Sequence, residues 1–199
     1  MTLIALMTCR NLTSEHGDSY ESFPDKLVEF VSELGFTTVP ISSYSWNTQD
    51  LHAYLQLMKP ALIVLTGGED LGVNANRDEL EKALLEHAST NPTVRVLGIC
   101  RGMQMMVLSL GGRLRSVPNH VARDHEIWEG EMLVGRVNSF HKFEICELPS
   151  EFYPVHHSSD GVIESVIHQK LPWVGWMWHP ERMENPQWMV NLLRGQLRL

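Results

Sequence analysis

Apolar and amphipathic segments alternate along the first half of the chain. Short runs that are apolar throughout predict buried strands at 3–9, 36–41, 61–65 and 94–99. Between these runs, apolar positions recur with helical spacing and predict helices over 24–34, 48–58, 77–88 and 103–110. We expect Gly35 to end the first helix and Thr48 to cap the second. Strands that are apolar on both faces indicate a parallel sheet covered by helices.

The pattern changes after Gly112, where shorter strand-like segments replace the alternation. They lie at 131–138, 151–156, 162–168 and 173–178, and we expect them to extend the sheet as antiparallel strands. A last amphipathic helix is predicted from Pro186 to Leu197. The chain is therefore expected to form one α/β domain over residues 1–199. Its predicted architecture is a three-layer sandwich, with a mostly parallel central sheet, helices on both faces and antiparallel strands in the C-terminal half.

Cys100 lies where the fourth predicted strand gives way to a helix. Gly98 and Gly102 stand two positions to either side of it. A strand, a sharp turn with small residues and a helix form the pattern of a nucleophile elbow. A helix N-terminus favours the thiolate form of cysteine, so the sequence predicts a reactive Cys100. Cys9 and Cys146 are instead expected to be buried as small apolar residues.

A base for this nucleophile is expected at the end of the segment 173–178. His179 follows that apolar segment, Pro180 stiffens the next link, and Glu181 is placed to hold one imidazole nitrogen while the other faces the sulfur. Sites in open parallel sheets lie at the carboxyl ends of the strands. We therefore expect Cys100 and His179 to meet at one edge of the sheet.

Three spaced motifs resemble the class I glutamine amidotransferase family. They are GICRGMQ at 98–104, HPE at 179–181, and TGGED at 66–70 after an apolar strand. The resemblance runs from about residue 1 to 185 in the family's order, and it is strongest to the free-standing γ-glutamyl hydrolase branch. Further matching segments are Arg77-Asp78 with Glu81, Gly111-Gly112 with Leu114, VNSFH at 137–141 and DGVIE at 160–164.

The resemblance implies hydrolysis of a γ-glutamyl amide through a cysteine thioester. It implies a triad of Cys100, His179 and Glu181, in which His179 accepts the thiol proton and donates it to the leaving amine. The backbone N–H groups of Gly68 and Arg101 become the candidate donors to the oxyanion. An ordinary turn is the alternative at the glycine pair. The residues expected to hold the glutamyl group are Gly67, Gln104, Asn138, Ser139 and His141.

Within the branch, the chain is most similar to a short subgroup that includes γ-glutamyl-CDP-amidate hydrolases of capsule polysaccharide assembly. The γ-glutamyl-γ-aminobutyrate hydrolases come next. The expected substrate is a small γ-glutamyl amide, nucleotide-linked in the first case. The alternative is the glutaminase component of a two-chain amidotransferase that delivers ammonia to a partner synthase. A sensor that binds without catalysis is disfavoured by the intact triad. Candidate phosphate contacts are Arg10, Arg101, Arg113 and Arg123, with surface ion pairs as the alternative.

Composition and charge exclude several other classes of protein. The formal charge of −8 argues against a general nucleic-acid binder. No apolar run approaches the length of a membrane span, and the first residues read as a strand rather than a signal peptide. Three cysteines without close pairs suggest the cytoplasm. We expect no cofactor and no metal, because His120 with His125 and the pair His156-His157 lack the spacing of known metal motifs. The sequence does not determine whether the chain forms a homodimer.

Overall fold

A nine-stranded sheet forms the centre of the structure, a computed structural model that describes residues 2–44, 46–184 and 187–199. The helices are α1 (Asp25–Glu33), α2 (Thr48–Met58), α3 (Ala75–Thr90), α4 (Arg101–Ser109) and α5 (Gln187–Gln196). The strands are β1 (Leu3–Thr8), β2 (Arg10–Thr13), β3 (Ser19–Ser22), β4 (Phe36–Ile41), β5 (Leu62–Leu65), β6 (Arg95–Ile99), β7 (Arg113–Ser116), β8 (Val121–Glu129), β9 (Met132–Phe140), β10 (Phe143–Glu147), β11 (Phe152–Ser158), β12 (Ile163–His168) and β13 (Trp173–Trp176). A short 3-10 helix, Pro180–Arg182, follows β13.

The sheet has a parallel half and an antiparallel half. Its strand order is β4-β1-β5-β6-β13-β12-β11-β8-β9. The first five strands in this order run parallel to one another, and each of the other four runs antiparallel to its neighbours. Two small sheets, β2 with β3 and β7 with β10, lie outside it. The predicted α/β architecture is therefore confirmed.

Helices cover both faces of the sheet, as the apolar strands require. The apolar faces of α1 and α5 belong to one buried cluster, and those of α2, α3 and α4 belong to a second. In the first cluster Phe30 of α1 packs near Trp176 of β13, with ring centroids 6.3 Å apart. In the second, Leu84 of α3 and Met103 of α4 are fully buried. No helix within the described ranges is long and apolar enough to cross a membrane.

Helix ends follow local capping chemistry and differ slightly from the expectations. The side chain of Asn47, rather than Thr48, caps α2 by accepting a hydrogen bond of 2.9 Å from the backbone N–H of Asp50. Gly35 adopts φ 97 directly after α1, which favours glycine there. The helix predicted over 77–88 extends to 75–90 because Asn74 caps it. Pro186, the predicted start of the last helix, lies outside the described residues.

Strand β13 is parallel, which corrects the expectation that all late strands are antiparallel. It lies between β6 and β12, with Trp176 paired to Ile99. The hairpin of β12 and β13 reverses the chain, so β13 runs in the direction of β6. The residues that follow β6 and β13 consequently emerge at the same edge of the sheet.

Several strands contain no apolar run from which they could have been predicted. Strands β2, β3, β7 and most of β8 carry exposed or half-buried residues, so the hydrophobic pattern does not mark them. The strand β10 was also not predicted. It carries Cys146, which is exposed and not a core residue as the sequence suggested.

Phe30→Ala should lower the free energy of unfolding by about 3–5 kcal/mol, because it removes a buried ring that joins α1 to β13. The control is Leu57→Ala on α2, whose side chain is 79% exposed, and it should change stability by less than about 0.5 kcal/mol. Urea unfolding measures both. Equal losses in the two variants would contradict the packing described here.

Candidate active site

Cys100 occupies a strained turn between β6 and α4. Its backbone has φ 50 and ψ −104, a conformation that non-glycine residues rarely adopt. The backbone N–H of Cys100 donates a 2.7 Å hydrogen bond to the carbonyl of Trp176, which fixes the turn to β13. Such strain persists only where surrounding structure holds it, and it is common at functional sites. The geometry is that of the predicted nucleophile elbow.

The two flanking glycines are required by close backbone contacts. A Cβ on Gly102 would lie 2.1 Å from the carbonyl oxygen of Leu65 in β5. A Cβ on Gly98 would lie 2.7 Å from the carbonyl carbon of Gly102. Any side chain at either position would push α4 away from the sheet. The helix can therefore start directly at Arg101, and Cys100 lies at its N-terminus.

Cys100 borders a cleft of about 370 Å³. Its side chain is almost wholly buried, with 7% of the residue exposed. The cleft is more polar than apolar in its chemistry and is lined by Gly68, Glu69, Asp70, Val73, Cys100, Arg101, Gln104, Phe140, His141 and Lys142. The space is sufficient for a small polar group such as a glutamyl chain. Gly67 and Gly68 form the segment called here the glycine loop. The cleft thus brings Gly68 of this loop and the elbow at Cys100 together in one site.

His179 is held from three sides. Its Nδ1 lies 2.7 Å from Oε1 of Glu181, and since a carboxylate accepts, Nδ1 carries the proton and Nε2 is left with a lone pair. The amide of Asn138 clamps the backbone of His179 by donating to its carbonyl at 2.7 Å and accepting from its N–H at 2.9 Å. The ring of Phe140 meets the imidazole edge-on at 5.9 Å between centroids.

The glycine loop packs directly against the imidazole. A Cβ on Gly67 would lie 2.5 Å from Cε1 of His179, so only glycine leaves room for the ring. Gly68 has φ 149, which favours glycine, and a Cβ there would lie 2.6 Å from Nη1 of Arg77. The loop is therefore confined between His179 and Arg77. Its backbone, rather than any side chain, faces the cleft.

A buried ionic network ties this loop to the elbow. Arg77 is fully buried and donates to Oε1 of Glu81 at 3.0 Å and to Oε2 of Glu69 at 2.8 Å. It also donates to the carbonyls of Thr66 and Gly67 at 2.7 and 3.2 Å. Sequence reasoning noted Arg77 and Glu81 as matching the family but gave them no role. The structure identifies them as supports of the loop.

The same network reaches the residue after the nucleophile. The guanidinium of Arg101 pairs with Oε2 of Glu81 and with Oδ1 of Asp78, and its side chain is 2% exposed. It is therefore not available as the phosphate contact considered from the sequence. Arg113 pairs with Glu147 at 3.2 Å on the surface. Phosphate contacts by Arg10 and Arg123 stay predictions.

Burial opposes the effect on the Cys100 thiol that is expected of the helix N-terminus. Removal from water raises the pKa of Cys100 to about 12, against the opposing effects of the Arg101 backbone N–H and the positive charge of Arg182. The reactive thiolate expected at Cys100 stays a prediction, and burial acts against it.

Of the five residues predicted to hold the glutamyl group, two line the cleft and three do not. Gly67 is one of the three, because it packs against His179. Gln104 and His141 line the cleft beside Cys100. Asn138 and Ser139 do not line it, because Asn138 holds the His179 backbone and the Ser139 hydroxyl donates to the carbonyl of His120 at 2.7 Å. A direct substrate contact by these two residues stays a prediction.

Three charged residues of the cleft were given no role by sequence reasoning. Glu69 and Asp70 follow Gly68 directly, and Lys142 follows His141. Lys142 reaches across to Asp70, with 3.5 Å between Nζ and Oδ2. Their position next to recognised motif residues was the available signal. They bring both signs of charge to the mouth of the cleft.

The sequence is similar to those of known proteins over most of its length. The model of the family described as glutamine amidotransferase class-I matches residues 16–195. The γ-glutamyl-CDP-amidate hydrolase of Campylobacter jejuni is 30% identical over 165 residues, which cover 80% of this chain and 78% of the relative. A glutamine-hydrolysing GMP synthase subunit from Thermococcus kodakarensis is 31% identical over 143 residues, which cover 68% of this chain and 73% of the relative.

Solved structures show the same fold. The crystal structure of a protein described as a GMP synthase subunit, from Thermoplasma acidophilum, superimposes with a TM-score of 0.71 at 16% identity and covers 100% of this chain and 96% of that one. A glutamine amidotransferase from Thermotoga maritima gives a TM-score of 0.67 at 17% identity, covering 100% of this chain and 85% of that one.

Glu81→Gln should destabilise the protein by about 3 kcal/mol, because it leaves Arg77 and Arg101 buried without their shared counter-charge. The matched control is Glu79→Gln, a more exposed residue of the same helix, which should be near neutral. Urea unfolding compares the two variants. The role given to the network fails if their free energies of unfolding agree within about 0.5 kcal/mol.

Iodoacetamide should label Cys146 before Cys100 at neutral pH, because Cys146 is exposed while Cys100 is buried with a pKa of about 12. Below its pKa the thiolate fraction of Cys100 grows about tenfold for each pH unit, so its labelling rate should rise in the same way between about pH 7 and 10. Peptide mass mapping follows both sites. A Cys100 rate that exceeds that of Cys146 at neutral pH and is flat with pH would contradict the burial effect.

Proposed function

The chain belongs to the class I glutamine amidotransferase family, and from this we propose that it is a free-standing hydrolase that cleaves a γ-glutamyl amide and releases glutamate. The observation that carries the proposal is the position of Cys100. It stands in a strained turn at the end of β6, where it borders a cleft together with the glycine loop. The same loop is packed against His179.

The proposed reaction has two halves. The Nε2 atom of His179 removes the thiol proton of Cys100 as the sulfur attacks the amide carbonyl carbon, and the resulting oxyanion accepts hydrogen bonds from the backbone N–H groups of Gly68 and Arg101. The C–N bond then breaks, and the imidazolium gives its proton to the leaving amine. Water, deprotonated by His179, attacks the γ-glutamyl thioester, releasing glutamate and the thiol.

The high pKa of Cys100 fits a nucleophile that ionises only with substrate present. Deprotonation and attack then occur together, and the charge passes at once to an oxyanion that the backbone donors stabilise. Glu181 supports this step by holding the imidazole in one tautomer, with its proton on Nδ1. Asn138 is proposed as a positioning residue, because it fixes the backbone of His179.

The charged lining of the cleft suits a glutamyl group, which carries one ammonium and one carboxylate. Glu69 lines the cleft, its Oε1 has no hydrogen-bond partner among the described residues, and it is proposed to receive the α-ammonium. Lys142 is the proposed partner of the α-carboxylate. Gln104 and His141, which line the same cleft, remain proposed substrate contacts.

The leaving group proposed first is a nucleotide-linked amine, as in γ-glutamyl-CDP-amidate. This choice is supported by the Campylobacter jejuni relative of that name, which aligns over most of both chains. The next choice is γ-glutamyl-γ-aminobutyrate. The reaction as written uses no cofactor, and we propose that residues 1–199 act as one catalytic domain in the cytoplasm, within capsule polysaccharide assembly if the first substrate is right.

A second candidate function is the glutaminase half of a two-chain amidotransferase. It is favoured by the GMP synthase subunits among the relatives, which match the chain at about the same identity. In that case Cys100 would perform the same chemistry on glutamine. The ammonia would pass to a partner synthase, and the chain alone would turn over slowly.

Purified protein should release glutamate from γ-glutamyl-CDP-amidate at least about 100-fold faster than from glutamine, as expected where buried polar groups must match the leaving group. γ-Glutamyl-γ-aminobutyrate completes the panel. Cys100→Ser should abolish turnover, with a loss of at least about 10⁴-fold, while Cys146→Ser, which changes an exposed thiol, should retain it. Fast hydrolysis of glutamine only after addition of a synthase would favour the second candidate.

Two further substitutions test the roles within the triad. His179→Ala should reduce kcat nearly as far as Cys100→Ser, because nucleophile and base act as one unit. Glu181→Gln should reduce kcat less, because the side chain only orients the imidazole. Steady-state kinetics on the best substrate separates the variants. A Glu181→Gln loss equal to that of Cys100→Ser would show that orientation is the wrong role.

A further inference from the structure

A buried cluster of three histidines and one glutamate lies beside the cleft, and the proposed reaction leaves its Glu164 without a role. His120 precedes β8, His125 lies within β8, His141 follows β9, and Glu164 lies in β12. Ring nitrogens of His120 and His125 and a carboxylate oxygen of Glu164 all lie within 4.8 Å of one another. The sequence argument against a metal considered spacing along the chain, whereas the sheet brings these residues together from separate strands.

Four possible ligand atoms converge on one point of this cluster. Oε1 of Glu164 lies 3.5 Å from Nδ1 of His120, 3.2 Å from Nε2 of His125 and 3.4 Å from Nε2 of His141. Nδ1 of His120 lies 3.1 Å from Nε2 of His141. Ligand atoms on a tetrahedral zinc ion lie about 3.3 Å from one another, given metal–ligand distances of about 2.0–2.1 Å.

Hydrogen bonds outside the cluster turn lone pairs towards its centre. Nε2 of His120 lies 3.0 Å from Oδ2 of Asp160, and Nδ1 of His141 lies 2.9 Å from the carbonyl of Phe143. Since both oxygens accept, these nitrogens carry the protons, and Nδ1 of His120 and Nε2 of His141 face each other as acceptors. Imidazoles that bind metal ions usually donate their other N–H to a carboxylate or a carbonyl in this way.

The remaining atoms also lack donors. Among the residues that the structure describes, both carboxylate oxygens of Glu164 and Nε2 of His125 have no hydrogen-bond partner. Glu164 is fully buried, and an unpaired buried carboxylate is costly. Either protons on the histidines or a bound cation must therefore supply the positive charge that Glu164 faces.

We propose that His120, His125, His141 and Glu164 bind a divalent transition-metal ion, for which Zn²⁺ is the best fit. Imidazole nitrogen with one carboxylate suits zinc-type ions, whereas Ca²⁺ and Mg²⁺ prefer oxygen ligands. Asp160, held by a 2.5 Å hydrogen bond from the hydroxyl of Ser158, orients His120. Because His141 also lines the cleft, the ion lies behind the wall that faces Cys100. The proposed ion takes no part in the reaction written above, and the two sites share His141.

Metal content and metal spectra test the proposal without relying on turnover. Untagged protein is stripped with a chelator, loaded with Zn²⁺ or Co²⁺, and passed through gel filtration before elemental analysis. The wild type should retain one ion per chain, its melting temperature should rise with Zn²⁺, and Co²⁺ should give the visible absorption of a tetrahedral nitrogen and oxygen site.

Glu164→Gln and His125→Gln should each weaken the affinity by at least about 100-fold, since loss of a group that only orients a ligand already costs about 10–100-fold. His157→Gln is the control, because His157 is half-buried on neighbouring β11 outside the cluster. The side chain of His125 is partly exposed, so we expect its variant to fold. If the Glu164 variant fails to fold, the affinity of the His125 variant tests the metal site.

Three results would overturn the metal site. The first is a wild type that retains no Zn²⁺ or Co²⁺, which would mean that protons alone occupy the cluster. The second is retention by Glu164→Gln or His125→Gln equal to that of the wild type. The third is a thiolate-to-cobalt charge-transfer band, which would place the ion on a cysteine.

Discussion

Glu81 joins the two backbone segments on which the candidate site depends. One of its oxygens accepts from Arg77, which holds the carbonyls of the 66–67 loop, and the other pairs with Arg101, the first residue of α4. Buried ion pairs are seldom favourable in net terms, because removal of charge from water costs several kcal/mol. Here the ion pairs fix the positions of two backbone segments. The glycine loop and the elbow are both tied to this one carboxylate, so buried contacts fix their positions relative to each other.

The strand order supplies the second constraint. Because β13 runs parallel to β6, Cys100 and His179 emerge at one edge of the sheet, and the Cys100 N–H is bonded to β13 itself. Close contacts leave no room for a side chain at Gly67, which lies against His179, at Gly98, which lies against α4, or at Gly102, which lies against β5. Burial that results from this packing raises the pKa of the nucleophile. The same packing therefore opposes the ionisation of the sulfur that the proposed reaction requires.

The sequence was most informative where local chemistry and position coincide. The apolar strands, the glycines around Cys100 and the apolar strand before His179 were sufficient to predict the fold class and the elbow. The sequence did not predict strands such as β2, β3 and β8, because they bury few side chains. The parallel orientation of β13 could not be predicted, because a hydrophobic pattern does not show in which direction a strand runs. The histidine cluster could not be predicted because its members come from separate strands. The effect of burial on the Cys100 thiol could not be predicted because burial is a property of the whole fold.

The central claim is that Cys100 forms a covalent γ-glutamyl thioester. It is tested most directly by mixing the protein with its best γ-glutamyl amide, quenching in acid within the first turnover, and mapping the peptides by mass. The account predicts one γ-glutamyl group attached to the peptide that contains Cys100, and its disappearance as glutamate is released. Turnover with no adduct at any quench time, or an adduct on another residue, would contradict it.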